Sequence, residues 1–378
     1  FGYSMILSSF LFCAQVTFIV DMALTPASDD GVYVVGGNQW LWNEDQNCDQ
    51  GCMDNEEIAP IGHLMQDDDG DNIWDYKSAM VPKKMPKSLI IIGSGAIGAE
   101  FASFYNALGS DVTIVEVLPQ ILPVEDTEVS EFVQNEFEGR GIKIMTATRV
   151  ESLTSTKKGL VAKISSENGS EENTFDRAIL AVGVTGNVEN LGLETTSVTT
   201  EKGSILVNEW LETEEEGIYA IGDVAGAPLL AHKAMHEGVF CAEQIAGIDH
   251  AQPMQKSRVP GCTYCHPQVA SVGLTERAAS EAGHKLRIGK FPLMGNGKAI
   301  AIGDTAGFVK TIFDADTGEL IGAHLVGPNV TEMIQGFVVA MGLETTETEL
   351  METIFPHPTI SEAMHESILD AYGQALHI

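Results

Sequence analysis

Beyond residue 86 the chain predicts an α/β fold, and three observations carry that expectation. A continuous apolar run, Leu89 to Ile92, reads as a buried parallel strand and passes without a gap into Gly93-Ser-Gly95-Ala-Ile-Gly98. Behind this turn lies a helical pattern from about Ile97 to Leu108, with Gly109 as its stop, and then a second strand, Val112 to Val115. From there strand and helix signals keep alternating, as a parallel sheet with crossover helices requires.

The three glycines answer different needs. The first lets the chain turn tightly, the second lets backbone amides approach a pyrophosphate, and the third lets the helix pack closely on the strand. The helix start offers unpaired N–H groups and the positive end of a dipole to phosphates. Glu116 closes the second strand, where a carboxylate accepts hydrogen bonds from both hydroxyls of a ribose. No Arg or Lys stands at Val117 to Gln120, so a 2′-phosphate would meet a repelling carboxylate and no cation, which favours NAD over NADP. A glycine triplet alone often marks only a tight turn; strand, helix, second strand and Glu116 together decide for a nucleotide.

At 378 residues there is room for two or three domains with cores of their own. With 54 acidic against 21 basic residues the formal charge is −33, which excludes nucleic acid and anionic membranes as partners. No apolar stretch reaches the roughly 18 residues of a membrane span.

The first 82 residues differ in character, alternating apolar and polar positions (Val16-Thr-Phe-Ile-Val20, Val32-Tyr-Val-Val35) between turn clusters, which predicts short antiparallel strands. They resemble starch-binding-like β-sandwich modules from 16 to 82, which implies either sugar stacking by Trp40, Trp42 and Trp74 or tryptophans in a core. Met5 to Ala14 resembles the apolar part of an export signal, the alternative being a buried first strand. Asp67 to Asp71 fails as a calcium loop, because alignment on Gly70 puts Met65 and Tyr76 where carboxylates are needed; no metal is expected. Cys48 and Cys52 predict a local disulfide if that stretch is secreted, and Cys262-Thr-Tyr-Cys265 a structural thiol pair rather than a redox or zinc site.

Further along, Asp126 caps a helix through Glu138 that Gly139 ends, and Ile142 to Met145 is a third strand. Glu151 to Leu180 reads as antiparallel strands with a turn at Asn168-Gly169, leading to Gly183, where backbone can approach a nicotinamide ribose or simply turn. Gly217 to Val224 is a short strand delivering Asp223, a carboxylate suited to a flavin's ribityl chain. Read alone it is a turn, and the helix opened by Leu229, Leu230, Ala231 and His232, whose first amides suit flavin carbonyls, tips the reading. Phe308 to Phe313 and Leu320 to Val326 form a hairpin around Asp316-Thr-Gly318, followed by an apolar helix, Glu332 to Met341. His357, between two prolines, has Glu362 in the next helix's first turn to orient its imidazole: a proton-transfer pair, or, standing alone, a capping Glu beside a structural His.

Taken together, Pro86 to Ile378 resembles the dihydrolipoamide dehydrogenases among the flavoprotein disulfide reductases. The resemblance implies an NAD site at Gly93, Ser94, Gly95, Ala96, Ile97, Gly98, Ala99, Glu100, Glu116, Val150 and Gly183. It implies the distal half of an FAD site at Asp223, Leu229, Leu230, Ala231 and His232, and a catalytic base dyad, His357 and Glu362, facing the partner subunit's redox disulfide in a homodimer. Electrons would pass from dihydrolipoamide on a 2-oxo acid dehydrogenase complex, through disulfide and FAD, to NAD, in the cytoplasm. The implied organisation is a signal-like segment at 1–15, the β-rich module at 16–82, an NAD-binding domain at 86–205, part of an FAD domain at 206–252, and an α+β dimerisation domain at 256–378. The family's N-terminal FAD half, with its own glycine motif and Cys-x4-Cys pair, has no counterpart ahead of residue 86, so weak FAD binding and no lipoamide turnover by this chain alone are expected. Alternatives are a glutathione or mercuric reductase, against which Glu116 and the cysteine-free ending Gln374 to Ile378 speak, and a secreted carbohydrate-binding protein with an inert C-terminal part.

Overall fold

A computed structural model describes residues 33–35, 71–167, 169–248 and 252–377. They fall into two units, one holding residues 33–35 and the described part of 184–256, the other 71–183 and 257–377. Strand β1 (Tyr33–Val35) lies in the first.

The second unit opens with β2 (Ile73–Trp74) and α1 (Tyr76–Met80), whose cap Asp75 accepts a hydrogen bond from the Ser78 N–H at 2.8 Å. Then follow β3 (Ser88–Ile92), α2 (Ala96–Ala107), β4 (Asp111–Val115), α3 (Thr127–Gly139) and β5 (Lys143–Met145). An antiparallel group, β6 (Arg149–Thr156), β7 (Gly159–Ser166) and β8 (Gly169–Phe175), precedes β9 (Arg177–Leu180). The parallel sheet runs β2-β9-β3-β4-β5.

Strand β3 shows why its sequence is apolar without alternation. Leu89 and Ile91 pack with Ala99, Ala102 and Tyr105 of α2 and Val129, Val133 and Phe137 of α3, while Ile90 meets Leu160, Ala162 and Ile164 of β7. Both faces are covered, so both side-chain sets must be apolar, each contributing about 1.5–3 kcal/mol on burial.

Three expectations are corrected here. α3 begins after its Asp126 cap but runs through Gly139, and the left-handed stop is Gly141 at φ 88°. Strand β9, expected among the antiparallel strands, instead runs parallel beside β3, because Asp176 ties the chain there: its N–H donates to the Ser88 carbonyl at 3.0 Å and its carboxylate accepts from the Lys87 N–H at 2.7 Å. Trp74, expected in a separate β module as either a sugar-stacking or a core ring, is a core ring of the α/β unit instead, 4% exposed and 6.2 Å from the Tyr105 ring. Met5 to Ala14, Trp40, Trp42, Cys48, Cys52, Met65, Asp67 to Gly70 and Asn168 lie outside the described residues.

In the other unit β10 (Thr200–Glu201), β11 (Ser204–Ile205), β12 (Ile218–Ala220) and α4 (Ala231–Ile245) follow. β1 pairs parallel with β12, in place of the antiparallel pairing expected for Val32 to Val35. Val198 and Ile205 share a core with Ala220 and Val224, so residues 184–205 belong with this unit and the boundary expected at 205 falls after Gly183.

The rest of the larger unit comprises β13 (Gly261–Thr263), β14 (Gln268–Gly273), α5 (Glu276–Glu281), β15 (Leu286–Pro292), α6 (Gly297–Ile302), β16 (Phe308–Asp314), β17 (Leu320–Gly327), α7 (Val330–Gly342), α8 (Glu347–Glu352) and α9 (Glu362–Ala371). Its antiparallel sheet runs β13-β14-β17-β16-β15, with the expected hairpin as β16 and β17. Val309, Phe313 and Leu325 pack with Ile334 and Phe337 of α7 and Ile368 of α9, whereas Phe308 and Val326 join the core of α2 and α3. No helix among the described residues is long and apolar enough to cross a membrane.

Candidate functional site

The glycine turn joins β3 to α2. Gly93 has φ 95°, and a Cβ there would strike the Ala181 carbonyl, while one on Gly98 would strike the Gly93 carbonyl; both positions need glycine, for conformation or for closeness. Around Gly95 and Gly183, by contrast, an added Cβ would meet nothing within 4 Å. α2 starts at Ala96 with no capping side chain and no acidic residue in its first turn. Open backbone beside an uncapped helix start is what an anionic phosphate needs, so these residues fit a dinucleotide.

The expected contact residues divide. Ala99 is 1% exposed and, with partly buried Ile97, packs in the helix core, and Val150 packs beside Ile90 and Val115. Glu100 does not face the turn: its Oε1 accepts from the Tyr264 N–H at 2.8 Å, and burial pushes its carboxyl up against that hydrogen bond. Glu116 is 6% exposed, and its carboxylate is already engaged by the chain. Oε2 accepts from the Ser94 N–H at 2.9 Å and the Ser94 hydroxyl at 2.7 Å, and Oε1 from the Leu118 N–H at 2.9 Å. The expectation of a carboxylate free to take two ribose hydroxyls is corrected by these bonds.

In the other unit Asp223 sits in a single 3-10 turn, Gly222–Ala225, rather than at the end of β12. Burial pushes its carboxyl up, opposed by Lys233 and assisted by Glu237. Leu229 and Leu230 lead into α4, which starts at Ala231 with exposed His232 in its first turn and no side-chain cap. A pair the sequence reading missed supports this turn. Lys233 and Glu237, each 1% exposed, meet at 3.1 Å; Lys233 donates to the Gly222 and Gly226 carbonyls at 3.0 and 2.7 Å, and Glu237 accepts from the Gly222 N–H at 2.8 Å. Their i, i+4 spacing was the available signal. A carboxyl beside an uncapped helix start fits a polyol and ring carbonyls such as a flavin carries.

His357 precedes α9, and its Nδ1 lies 2.9 Å from Glu362 Oε1. Glu362 Oε2 accepts from the Thr359 N–H at 2.9 Å. Burial works to raise the Glu362 carboxyl, but the Thr359 N–H and His357 outweigh it and hold it below its ordinary range. The imidazole is 77% exposed, and with Nδ1 engaged, Nε2 is the nitrogen left to exchange a proton with a substrate. Phe355 stacks on His365 at 5.2 Å, anchoring the loop.

Cys262 and Cys265 are free thiols, pushed by burial up to about 11 and about 12, so neither offers a thiolate near neutrality. Among the described residues no cluster suits a metal ion.

The pattern of the pyridine nucleotide-disulphide oxidoreductases matches residues 58–238, and that of their dimerisation domain matches residues 259–368. The dihydrolipoyl dehydrogenase of Rhizobium etli is 57% identical over 309 residues, 82% of this chain and 64% of its own length. That of Thermus scotoductus is 40% identical over 313 residues, covering 82% and 67%. Among solved structures, LpdA from Mycobacterium tuberculosis superposes with a TM-score of 0.73 at 28% identity, covering 80% of this chain and 65% of that one. This chain thus spans less than two thirds of the Rhizobium enzyme. Since the family pattern reaches back to residue 58, the starch-binding-like reading of the stretch up to 82 is not supported.

Proposed function

Because the chain belongs to the pyridine nucleotide-disulphide oxidoreductases, we propose that it serves as a dihydrolipoyl dehydrogenase, oxidising dihydrolipoamide presented by a 2-oxo acid dehydrogenase complex and reducing NAD. The observation that carries this reading is the combination of the β3 glycine turn closed by Glu116 with the His357–Glu362 pair at 2.9 Å. The turn between Gly93 and Gly98 and the start of α2 would hold the pyrophosphate of NAD, with Glu116 at the adenosine ribose and Gly183 beside the nicotinamide end.

Asp223 would hold the ribityl chain of FAD, and the first amides of α4, from Ala231, its ring carbonyls. FAD, when bound, carries electrons between dithiol and nicotinamide. Nε2 of His357 takes a proton from the lipoamide thiol, and Glu362 fixes the ring through Nδ1 and stabilises the imidazolium that results. In a homodimer formed through residues 256–378, this pair would face the partner subunit where the family carries its redox disulfide; no Cys-x4-Cys spacing occurs in these 378 residues, so turnover would need that disulfide and the rest of the flavin site supplied. Glutathione and mercuric reductases fit less well, since Glu116 closes the adenosine end to a 2′-phosphate.

Calorimetric titration with NADH tests the nucleotide half of the reading. The chain is expected to bind NADH at micromolar to millimolar levels, and Gly95→Asp to weaken binding at least about tenfold, because it sets a negative charge where open backbone meets the pyrophosphate. Absence of heat with the unaltered, folded chain would remove the proposal.

A further inference from the structure

Ser94 stands between the two glycines of the turn and is 1% exposed, too buried to reach a bound ribose itself. All three of its polar groups are nonetheless spent on the adenosine end. The N–H and the hydroxyl both donate to Glu116 Oε2, at 2.9 and 2.7 Å, and the carbonyl accepts from the Leu122 N–H at 2.9 Å, in the loop that follows β4. An ionised carboxylate offers about four acceptor positions. Oε2 has filled two with Ser94 and Oε1 one with the Leu118 N–H at 2.9 Å, which leaves a single position, on Oε1.

We infer that Ser94 is the positioning residue that fixes Glu116: it presents one carboxylate oxygen, Oε1, to the adenosine ribose and keeps the charge from swinging aside for a 2′-phosphate. The inference rests on the NAD reading above and deepens it. Glu116 can turn away from a phosphate only by giving up two hydrogen bonds to its charged oxygen in a nearly closed site, and such bonds are the strong ones. The hydroxyl therefore acts on discrimination, through Glu116, without contacting the dinucleotide.

The test is a double-mutant cycle read by calorimetry with NADH and with NADPH, on the full chain, Ser94→Ala, Glu116→Ala and the double variant. Ser94→Ala is expected to weaken NADH roughly 3- to 10-fold, the size associated with one charged hydrogen bond in part. It also raises the NADPH-to-NADH affinity ratio, while in the Glu116→Ala background the same change alters neither quantity. Ser94→Gly, which keeps the N–H and suits the turn, should repeat the Ser94→Ala result, so one misfolded variant would not decide the outcome. Equal loss of NADH affinity in both backgrounds, or an unchanged NADPH-to-NADH ratio, overturns the positioning role and leaves NAD binding intact. No NADH binding by the unaltered chain sinks both.

Discussion

Replacing His357 with Gln, in a preparation that supplies the redox disulfide and the N-terminal flavin half, is expected to lower dithiol-dependent reduction of NAD by roughly 10²- to 10⁴-fold, the range of a lost general base. Gln retains a polar group that can hydrogen-bond Glu362 but cannot accept the thiol proton through a second ring nitrogen. The loss should fall on kcat, with KM for dihydrolipoamide little changed, since an interaction made only as the proton moves is the one removed. His357 is 77% exposed, so the fold should tolerate the change; NADH calorimetry checks this, because the glycine turn lies on β3 and α2 rather than on the His357 loop. Glu362→Gln is expected to cost less, about tenfold, as the base survives and only its orientation and the countercharge to the imidazolium are lost. Steady-state rates with dihydrolipoamide and NAD measure both, and a His357→Gln protein within threefold of the parent would strike His357 from the mechanism.

What the sequence made legible follows the distance over which each signal acts. The β3–turn–α2–β4 unit and the His357–Glu362 pair are written in neighbouring residues, through a glycine spacing in one case and a five-residue separation at a helix start in the other. Strand β9 was misread because its direction is set by β3, far away in the chain, through the Asp176 contacts to Ser88 and Lys87. Glu100 stands in the motif, yet the N–H that takes its carboxylate belongs to Tyr264, 164 residues on, and no local pattern announces it. The same limit hid the engagement of Glu116 Oε2 by Ser94, where each residue type was recognised and their bond was not. Trp74 shows the converse: a core position was among the readings open to it, but it was assigned to a separate β module because its partner Tyr105 belongs to a helix beyond the apparent junction.

Distant partners also determine the largest expected change in stability. Lys310 on β16 is 1% exposed and donates to Asp126 Oδ1 at 2.9 Å, to Glu128 at 2.8 Å and to Glu276 at 2.6 Å. Burial alone would lower its ammonium, but the three carboxylates outweigh burial and push it up. Glu128 and Glu276 are over 40% exposed and contribute little after screening, whereas Asp126 is as buried as the lysine. Lys310→Met should therefore destabilise the fold by about 3–5 kcal/mol, nearer the lower figure, because Asp126 keeps N–H donors from Glu128 and Glu276 at 3.2 and 3.1 Å. Adding Asp126→Asn should recover part of the loss by removing the stranded charge. The pH dependence has a defined sign. For Asp126 and Glu128 burial works upward, yet hydrogen bonds and charges, Lys310 among them, hold both carboxyls below their ordinary range. Each thus contributes stability in full above its unfolded value, about 3.9 for Asp and 4.3 for Glu, and loses it as pH falls through the lower folded value. Without Lys310 there is less to lose, so parent and variant should converge as the solution is made acid. Urea unfolding at about pH 7 and about pH 3.5 measures both effects; a variant within 1 kcal/mol of the parent at neutral pH, or a gap that widens in acid, would show that the Lys310–Asp126 pair does not hold the sheet to α3.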